Sequence, residues 1–368
     1  MSGSTTSAAR RVCLLTGGGD APGLNAVIKG FVLRALAHGI EVIGSQDGFE
    51  GLVEDGKLVL MDAATVRGIL PRGGSILGCS NRANPFHYPV GPRGKEELRD
   101  VSDVVLGRLR DNEIDALVLA GGDGTLHFGQ KFSERGVPCV GVPKTIDNDL
   151  AATDYTFGFD TALDTATWAI DTLHTTAASH HRVMILEVMG RYAGWIALSA
   201  GLAGGADVIL LPEVPYKLER VLARIKERER LERRFTIIVV AEGARPEGGD
   251  HAVLDPGHVG KLPRLGGAGE RLMQQLKEAG IQNEVRTTVL GHLQRGGSPS
   301  AFDRVLGLRM GAHAADLCAR GDFGKMVCLR GTEIGEVPLA EATRAPKLVD
   351  PNGQLVQTAR GIGVELGF

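Results

Sequence analysis

The chain has 368 residues, of which 43% are hydrophobic and 23% are charged, and these proportions are ordinary for a globular protein. Its 41 basic and 44 acidic side chains give a net charge of −3, which argues against a general affinity for nucleic acid or acidic membranes. No apolar run approaches the roughly 20 residues of a membrane span, and the first residues do not resemble a secretory signal. The five cysteines are dispersed, so we expect free thiols and a cytoplasmic protein.

Short apolar runs rich in β-branched residues alternate with longer helical patterns along the chain. Uninterrupted runs such as residues 235–241 are typical of parallel strands that helices cover on both faces. The alternation predicts an α/β protein with doubly wound sheets, whose ligands bind beyond the carboxyl ends of the strands. The charged stretch 224–230 predicts a solvated helix face. The predicted strands are residues 12–16, 41–44, 116–120, 138–142, 183–188, 208–211, 235–241 and 287–290, and the predicted helices are residues 24–38, 95–111, 161–178, 218–233, 269–279 and 301–320.

The first glycine-rich segment, GGGDAPGLN at residues 17–25, connects the first predicted strand to the first predicted helix. Glycines at such a turn expose backbone amides, which form a ready site for an anion. The glycine spacing is not that of a dinucleotide-binding fingerprint, and the chain contains no GxxxxGK[ST] sequence. A tight turn without a ligand is the alternative for this segment taken alone.

The second segment, GGDGT at residues 121–125, also follows an apolar strand. Its glycines would bring backbone amides to phosphate oxygens, and Asp123 would supply an oxygen ligand for Mg²⁺. A plain turn is again the alternative. Some lipid and dinucleotide kinases also carry GGDGT, so the segment does not define a substrate.

The third segment, PKTIDND at residues 143–149, places two carboxylates and a lysine at a strand end. Asp147 and Asp149 face the same side if the segment is extended. One carboxylate can accept the proton of a hydroxyl that attacks a phosphoryl group, and the other can position metal or phosphate. Lys144 and Thr145 can donate hydrogen bonds to the transferred group. Burial of these charges without a ligand would be costly, which disfavours a purely structural role.

Two later segments combine strand ends with arginines: EVMGRYAG at residues 187–194 and GHLQRGGSPSAFDR at residues 291–304, with Arg286 shortly before the second. Guanidinium groups bind phosphate monoesters bidentately. Each arginine taken singly is more often a surface ion-pair residue. Together, the five glycine-containing strand ends favour a phosphate-binding active site.

With these segments in their order and spacing, the chain resembles the phosphofructokinase family from Val12 to about Ala315. The resemblance implies two similar Rossmann-like α/β domains with the active site in the cleft between them. It implies transfer of the terminal phosphoryl group of ATP, with Mg²⁺, to the 1-hydroxyl of fructose 6-phosphate. The implied domains are a phosphoryl-donor domain (residues 1–158 plus about 293–341) and a fructose 6-phosphate domain (about 159–292 plus 342–368).

The resemblance also implies roles for individual residues. Asp147 is the expected general base, with Thr145, Asp149 and Arg191 as the other catalytic residues, and Asp123 is the expected Mg²⁺ ligand. A homo-oligomer is expected, a tetramer or alternatively a dimer, because Arg182 and Arg286 match arginines that reach a neighbouring subunit's site. The implied donor-binding residues are Gly19, Arg82, Gly122, Asp123, Gly124, Thr125 and Lys144. The implied substrate-binding residues are Thr145, Asp147, Arg182, Met189, Gly190, Arg191, Glu242, Arg286, His292 and Arg295.

Two residues favour different phosphoryl donors. In this family a glycine after GGD leaves space for a nucleotide, whereas an aspartate there goes with pyrophosphate, so Gly124 favours ATP. Lys144 replaces a glycine of bacterial ATP-dependent members and is typical of pyrophosphate-dependent relatives. We expect ATP, because a distant charge cannot compensate for an occupied pocket, and pyrophosphate is the alternative.

Three further interpretations are weaker. A catalytically silent regulatory subunit would usually lack a carboxylate, but Asp123, Asp147 and Asp149 are all present. A lipid or dinucleotide kinase would explain GGDGT and none of the other segments. Allosteric control is not expected, because Lys29 and Leu33 stand where the bacterial effector site has two arginines, and losing a guanidinium weakens phosphate binding.

Overall fold

A computed structural model describes residues 8–92, 95–255 and 264–368, and these residues form an α/β protein. The strands are β1 (Arg11–Thr16), β2 (Glu41–Ser45), β3 (Leu58–Met61), β4 (Tyr88–Val90), β5 (Glu97–Arg99), β6 (Ala116–Gly121), β7 (Cys139–Pro143), β8 (Val183–Val188), β9 (Val208–Leu210), β10 (Thr236–Ala241), β11 (Val253–Asp255), β12 (Arg264–Leu265), β13 (Val285–Val289), β14 (Lys325–Arg330) and β15 (Glu333–Pro338). The helices are α1 (Leu24–Ala37), α2 (Glu50–Val53), α3 (Ser102–Asp111), α4 (Asp123–Glu134), α5 (Phe159–His180), α6 (Trp195–Ala203), α7 (Leu218–Arg230), α8 (Ala268–Glu278), α9 (Ala301–Arg320), α10 (Leu339–Ala342) and α11 (Gln354–Gly361), and Gly291–Arg295 forms a 3₁₀ helix.

Two sheets organise the described residues. The large sheet has seven strands in the order β15-β14-β7-β6-β1-β2-β3, with β14, β7, β6, β1 and β2 parallel and an antiparallel strand at each edge. The small sheet has four parallel strands in the order β13-β8-β10-β9. Parallel strands bring their carboxyl ends to one edge of each sheet, where ligands bind in doubly wound folds.

Apolar clusters cover both faces of both sheets. One face of the large sheet packs against α1 and α9, and the other packs against α3 and α4. The small sheet packs against α5, α6 and α11 on one face and against α7 and α8 on the other. Every residue of β6 and of β10 is buried as a result. The predicted doubly wound α/β class is confirmed.

Helices α1 and α9 pack unusually closely beside the large sheet. A Cβ atom on Gly30 would overlap the Leu308 carbonyl oxygen, and one on Gly311 would overlap the Val27 carbonyl oxygen. These glycines are needed because any larger side chain would force the two backbones apart. The contact ties the first helix of the chain to a helix from its last quarter.

The predicted strands and helices all occur, those over residues 183–188 and 301–320 with the predicted ends and the others with shifted ends. The helix predicted over residues 95–111 is the largest error, because strand β5 precedes it and the helix begins at Ser102. Asp100 accounts for that start, since its carboxylate accepts a hydrogen bond from the Ser102 backbone amide at 2.9 Å. The five cysteines are free, as expected, and Cys79 is the one that is only partly buried.

Candidate active site

The segments that the sequence singled out lie at the carboxyl ends of parallel strands. The first glycine loop follows β1, GGDGT starts in the last residue of β6, and PKTIDND starts in the last residue of β7. In the small sheet, the loop with Met189 follows β8 and Glu242 follows β10. The fold therefore collects the candidate residues at the carboxyl edges of its two sheets.

Thr125 joins the first two glycine loops. Its side chain is buried, and a Cβ on Gly17 would lie 2.5 Å from its hydroxyl oxygen, while a Cβ on Gly121 would overlap its Cβ. Both glycines are therefore required by close packing on Thr125. The opposite holds at Gly124, which is exposed and would place a Cβ in open space, with nothing within 4 Å.

A cavity of about 310 Å³ lies beside the first glycine loop. Polar groups dominate its wall, and glycines leave backbone exposed to it, as an anion site requires. Its lining residues are Gly18, Gly19, Asp20, Gly74, Ser75, Cys79 and Asn81. The predicted residue Arg82 follows this wall directly, is exposed, and forms an ion pair with Glu96 at 3.0 Å.

Lys144 lies under the first glycine loop. Its ammonium group donates a hydrogen bond to the Gly19 carbonyl oxygen, and its side chain is almost completely buried. Burial lowers the pKa of Lys144 to about 8, and the Arg295 charge also lowers it. The structure thus brings the third segment into direct contact with the first.

The PKTIDND segment is a tight turn and not the extended chain that the sequence analysis assumed. Asn148, between the two aspartates, has a φ of 50° in the left-handed region, which asparagine tolerates better than most residues. The turn is stabilised by a 3.1 Å hydrogen bond from the Asp147 amide to the Thr145 hydroxyl. The two carboxylates nevertheless interact, since the Asp149 charge raises the pKa of Asp147.

Asp147 has a raised pKa and a buried oxygen that is not hydrogen-bonded within the described ranges. Burial raises its pKa to about 6, and the Asp149 charge adds to the rise while Arg295 and Lys144 oppose it. Burial also raises the pKa of Asp149, which the neighbouring Asp123 carboxylate raises further. The Oδ1 atom of Asp147 is buried and accepts no hydrogen bond from the described residues. Buried polar atoms without a partner are uncommon, and this one makes Asp147 a candidate acceptor for a donor group of a ligand.

The loop after β8 faces this turn. Gly190 has a φ of 137°, and a Cβ there would lie 2.8 Å from the Ala193 carbonyl oxygen, so glycine is needed at the bend. Arg191 stacks on the Tyr192 ring, and its buried Nε finds no acceptor in the described part of the chain. The Met189 amide donates to the Gln294 side chain at 2.7 Å, which fixes the loop to the 3₁₀ helix.

Glu242 shows that the two sheet edges meet. Burial raises its pKa to about 7, the Asp147 and Glu187 charges raise it further, and Arg295 and Arg191 lower it. Arg295 bridges the same space, since its Nη1 donates to the Asp20 carbonyl oxygen at 3.1 Å. Residues from five different loops thus surround one cleft. His292, in the same 3₁₀ helix as Arg295, is exposed.

Arg182 and Arg286 lie elsewhere. Arg182 precedes β8, Arg286 pairs with Met184 in the first half of the sheet, and both guanidinium groups bind the Glu284 carboxylate. The six-residue strand β8 separates this end from the cleft by about 20 Å. The two predicted arginines therefore do not reach the cleft of their own chain.

The acidic residues Asp123 and Asp149 suit a Mg²⁺ ion that is shared with substrate phosphates, and not a metal site formed by protein ligands alone. Within the described ranges, no group of three or more histidine, cysteine or acidic side chains could hold a metal. Asp123 is exposed at the start of α4 and faces Asp149. Mg²⁺ is commonly bound by one or two carboxylates together with substrate phosphates, so this pair fits it.

Sequence reasoning missed two residues that shape the cleft. Gln294 is fully buried and holds the Met189 loop. Its position between His292 and Arg295, in a segment already singled out, could have indicated that it belongs to the cleft. Lys347 contacts the turn around Asn148 from the far end of the chain, and no local pattern points to it.

Known proteins resemble this chain over most of its length. The sequence model of the family described as Phosphofructokinase matches residues 11–318. The chain belongs to the phosphofructokinase family.

An ATP-dependent 6-phosphofructokinase of Chloroflexus aurantiacus is 52% identical over 97% of this chain and 98% of that protein. A pyrophosphate–fructose 6-phosphate 1-phosphotransferase of Streptomyces coelicolor is 53% identical over 93% of this chain and 96% of that protein. Identity alone therefore does not separate the two donors in this family.

Solved phosphofructokinase structures share the fold. The phosphofructokinase of Saccharomyces cerevisiae has a TM-score of 0.77 at 29% identity, and the match covers 91% of this chain and 45% of the yeast chain. A pyrophosphate-dependent phosphofructokinase of Marinobacter aquaeolei has the same TM-score at 22% identity, a likeness of fold alone. Among the described residues, no helix combines the length and the hydropathy needed to cross a bilayer.

Proposed function

We propose that this phosphofructokinase transfers the terminal phosphoryl group of ATP to the 1-hydroxyl of fructose 6-phosphate, giving fructose 1,6-bisphosphate. The observation that carries the proposal is the buried, unpartnered Oδ1 of Asp147 at the meeting point of the two sheet edges. A substrate hydroxyl at that oxygen would supply the missing donor and lose its proton there. The silent-subunit alternative is disfavoured, because the three carboxylates that such a subunit would usually have lost, Asp123, Asp147 and Asp149, are all present.

Asp147 acts as the general base. A pKa of about 6 leaves it mostly ionised at neutral pH and makes it a stronger base than an ordinary aspartate. Arg191 offers its unpartnered Nε as a donor to the substrate, and Met189, Gly190 and Glu242 form the wall that holds the sugar. His292 and Arg295 hold the 6-phosphate, since a histidine and a guanidinium group suit a phosphate monoester.

The donor side stabilises charge. Gly19, Gly122 and Thr125 belong to loops that present backbone and a hydroxyl to the donor phosphates. Thr145 and Lys144 lie between these loops and Asp147, where negative charge builds up as the phosphoryl group moves. Asp123 and Asp149 would hold Mg²⁺, which would neutralise part of the charge of the donor phosphates.

ATP is the proposed donor because the space around Gly124 is open. A nucleotide needs that space, whereas pyrophosphate does not. Pyrophosphate is the second candidate, since Lys144 places a cation in the donor region and a close relative uses pyrophosphate by name. The hydrogen bond from Lys144 to the Gly19 carbonyl gives this lysine a role in holding the loop, which is compatible with either donor.

The domain and subunit arrangement follows from the same site. We assign residues 1–158 plus about 293–341 to the donor domain and about 159–292 plus 342–368 to the fructose 6-phosphate domain. Arg182 and Arg286 serve the site of a neighbouring subunit. This assignment is supported by the distance of Arg182 from its own cleft and by the exposed position of Arg286. The active form is then a cytoplasmic homo-oligomer, a tetramer or a dimer.

The test is phosphorylation of fructose 6-phosphate with Mg²⁺, run in parallel with ATP and with pyrophosphate. Turnover with ATP and none with pyrophosphate is the expected result. Turnover with pyrophosphate alone would overturn the donor assignment and would leave the acceptor assignment intact. Absence of turnover with both donors, with binding of fructose 6-phosphate retained, would revive the silent-subunit interpretation.

A further inference from the structure

The segment around Lys347 runs alongside the turn that carries the two cleft aspartates. Pro346 forms an antiparallel bridge with Leu150, and the Lys347 amide donates to the Asp149 carbonyl oxygen at 2.7 Å. The chain between α10 and α11 is therefore fixed to the backbone of this turn at Asp149 and Leu150.

The Lys347 side chain closes the same turn. Its ammonium group donates to the Asn148 side-chain oxygen at 3.0 Å, to the Thr153 carbonyl at 3.0 Å and to the Asp154 carbonyl at 2.8 Å. A lysine ammonium has three donors, and here each has an acceptor. Burial lowers the pKa of Lys347 to about 8, while Asp154 and Asp149 oppose that change, so the three hydrogen bonds offset a cost of burial.

Lys347 also contacts the sugar side of the cleft. Its ammonium group lies 5.8 Å from the centre of the Trp195 ring, and the Trp195 indole nitrogen donates to the Lys347 carbonyl oxygen at 2.7 Å. Trp195 is the first residue of α6, directly after the loop that carries Arg191. One residue thus connects the turn of Asp147 to the helix behind Arg191.

We propose that Lys347 is a positioning residue for phosphoryl transfer, which holds the left-handed Asn148 turn and so sets the place of Asp147 relative to Arg191. The proposal rests on the proposed function, since it names a support of that site. The Lys347 ammonium group donates to backbone and amide oxygens and to no carboxylate, so it touches no reacting atom. Its loss should displace the base without removing any group that binds substrate.

The first experiment compares Lys347→Met with the wild-type chain. We expect kcat to fall about tenfold to a hundredfold, because misplacing a catalytic group by about 1 Å has effects of that size. The KM values for fructose 6-phosphate and ATP should change little, since the binding groups stay. Amide hydrogen exchange of residues 145–156 should accelerate. The matched control is Lys325→Met, another partly buried lysine with acidic partners, Asp322 and Glu336, which should alter neither kcat nor that exchange.

The second experiment tests the route through Asn148. Asn148→Gly removes the amide acceptor while glycine keeps the left-handed φ without strain. Its effect on kcat should be less than additive with that of Lys347→Met in the double variant, because both remove the contact between Lys347 and Asn148. Asn148→Gly also removes the acceptor of the Thr156 amide, and Lys347→Met also removes the donor to the Thr153 and Asp154 carbonyls, so each variant keeps an effect of its own. Lys347→Arg, which keeps the charge and donors, should recover part of kcat.

The outcomes separate the two proposals. An unchanged kcat in Lys347→Met, or additive effects in the double variant, overturns the positioning role. A lowered kcat with unchanged exchange in residues 145–156 overturns it as well. If Lys347→Met fails to fold, an unchanged kcat in Asn148→Gly overturns the role independently. A wild-type chain without phosphotransferase activity refutes the proposed function instead, whatever the Lys347 variants do.

Discussion

Buried charged side chains occur both behind the small sheet and in the cleft, and the two regions differ in how completely these side chains are paired. Behind the sheet, Arg228 Nη1 lies 2.5 Å from one oxygen of Asp207, and its Nε and Nη2 both donate to the Phe235 carbonyl. The other Asp207 oxygen accepts the Ile237 amide at 2.9 Å. All the charged atoms of this pair therefore have partners within the chain.

Two charged side chains of the cleft lack such complete pairing. Asp147 Oδ1 and Arg191 Nε are buried without a partner among the described residues, and the pKa values of Asp147 and Glu242 are raised to about 6 and about 7. Folding normally satisfies buried polar groups, and exceptions collect at functional sites. The comparison teaches that pairing, and not burial itself, distinguishes this ion pair from the cleft, although single oxygens of Glu213 and Asp303 are also buried without a partner among the described residues.

Asp147→Asn should have the largest effect on activity. Removing the base should lower kcat by about 10³-fold, the middle of the range for general base catalysis. Thermal stability should be unchanged or higher, because the variant removes a buried charge whose Oδ1 has no partner among the described residues. Steady-state kinetics and thermal unfolding on the same preparation check both parts. A kcat close to that of the wild type would exclude Asp147 as the base.

Arg228→Met should show the opposite pattern. Removing one partner of a buried ion pair leaves Asp207 unpaired and should cost about 3–5 kcal/mol of unfolding free energy. The kcat of the remaining folded enzyme should not change, because the pair lies outside the cleft. Urea unfolding measures the loss, with Arg230→Met on the exposed side of the same helix as control. Equal stability of the two variants would contradict the structural role of the pair.

Gly124→Asp tests the donor side of the cleft, because it fills the open space beside residue 124. An aspartate there would occupy the space that the nucleotide needs and would displace ATP from its reacting position, so kcat/KM for ATP should fall about 10²-fold. Gly124→Ala is the control, since its Cβ meets nothing within 4 Å and should leave ATP use intact. Undiminished ATP use by the aspartate variant would show that the nucleotide lies elsewhere.

The smallest expected effects are the gradual changes of activity and stability with pH. Since Asp147 must be ionised to act, kcat/KM for fructose 6-phosphate should fall about tenfold per pH unit below a pKa of about 6. Stability should change in the opposite sense, because a carboxyl group whose pKa is raised on folding destabilises the folded state when ionised and less so when protonated. The stability advantage of Asp147→Asn should therefore shrink between pH 7 and pH 5. A constant difference across that range would contradict the raised pKa.

Much of this protein could be predicted from local sequence. The strands and most helices follow from apolar periodicity, and the cleft residues follow from glycine-punctuated strand ends, since parallel strands must bring those ends together. The start of α3 was misplaced because a single side chain, Asp100, decides it. Arg228 was assigned to a solvated helix face, because a charged run does not reveal which of its members meets a buried carboxylate.

By itself, the sequence determined the doubly wound class, the family, and the residue types offered to a phosphoryl donor and a sugar phosphate. Tertiary structure alone decided the left-handed turn at Asn148, the unpartnered Asp147 oxygen and the bond between Lys144 and Gly19. It also decided the contact of Lys347 with Asn148, which lies 199 residues away along the chain. Local patterns encode the period of a helix or strand and the chemistry of a turn. Contacts between distant segments depend on how whole sheets and helices pack, and no short stretch of sequence contains that information.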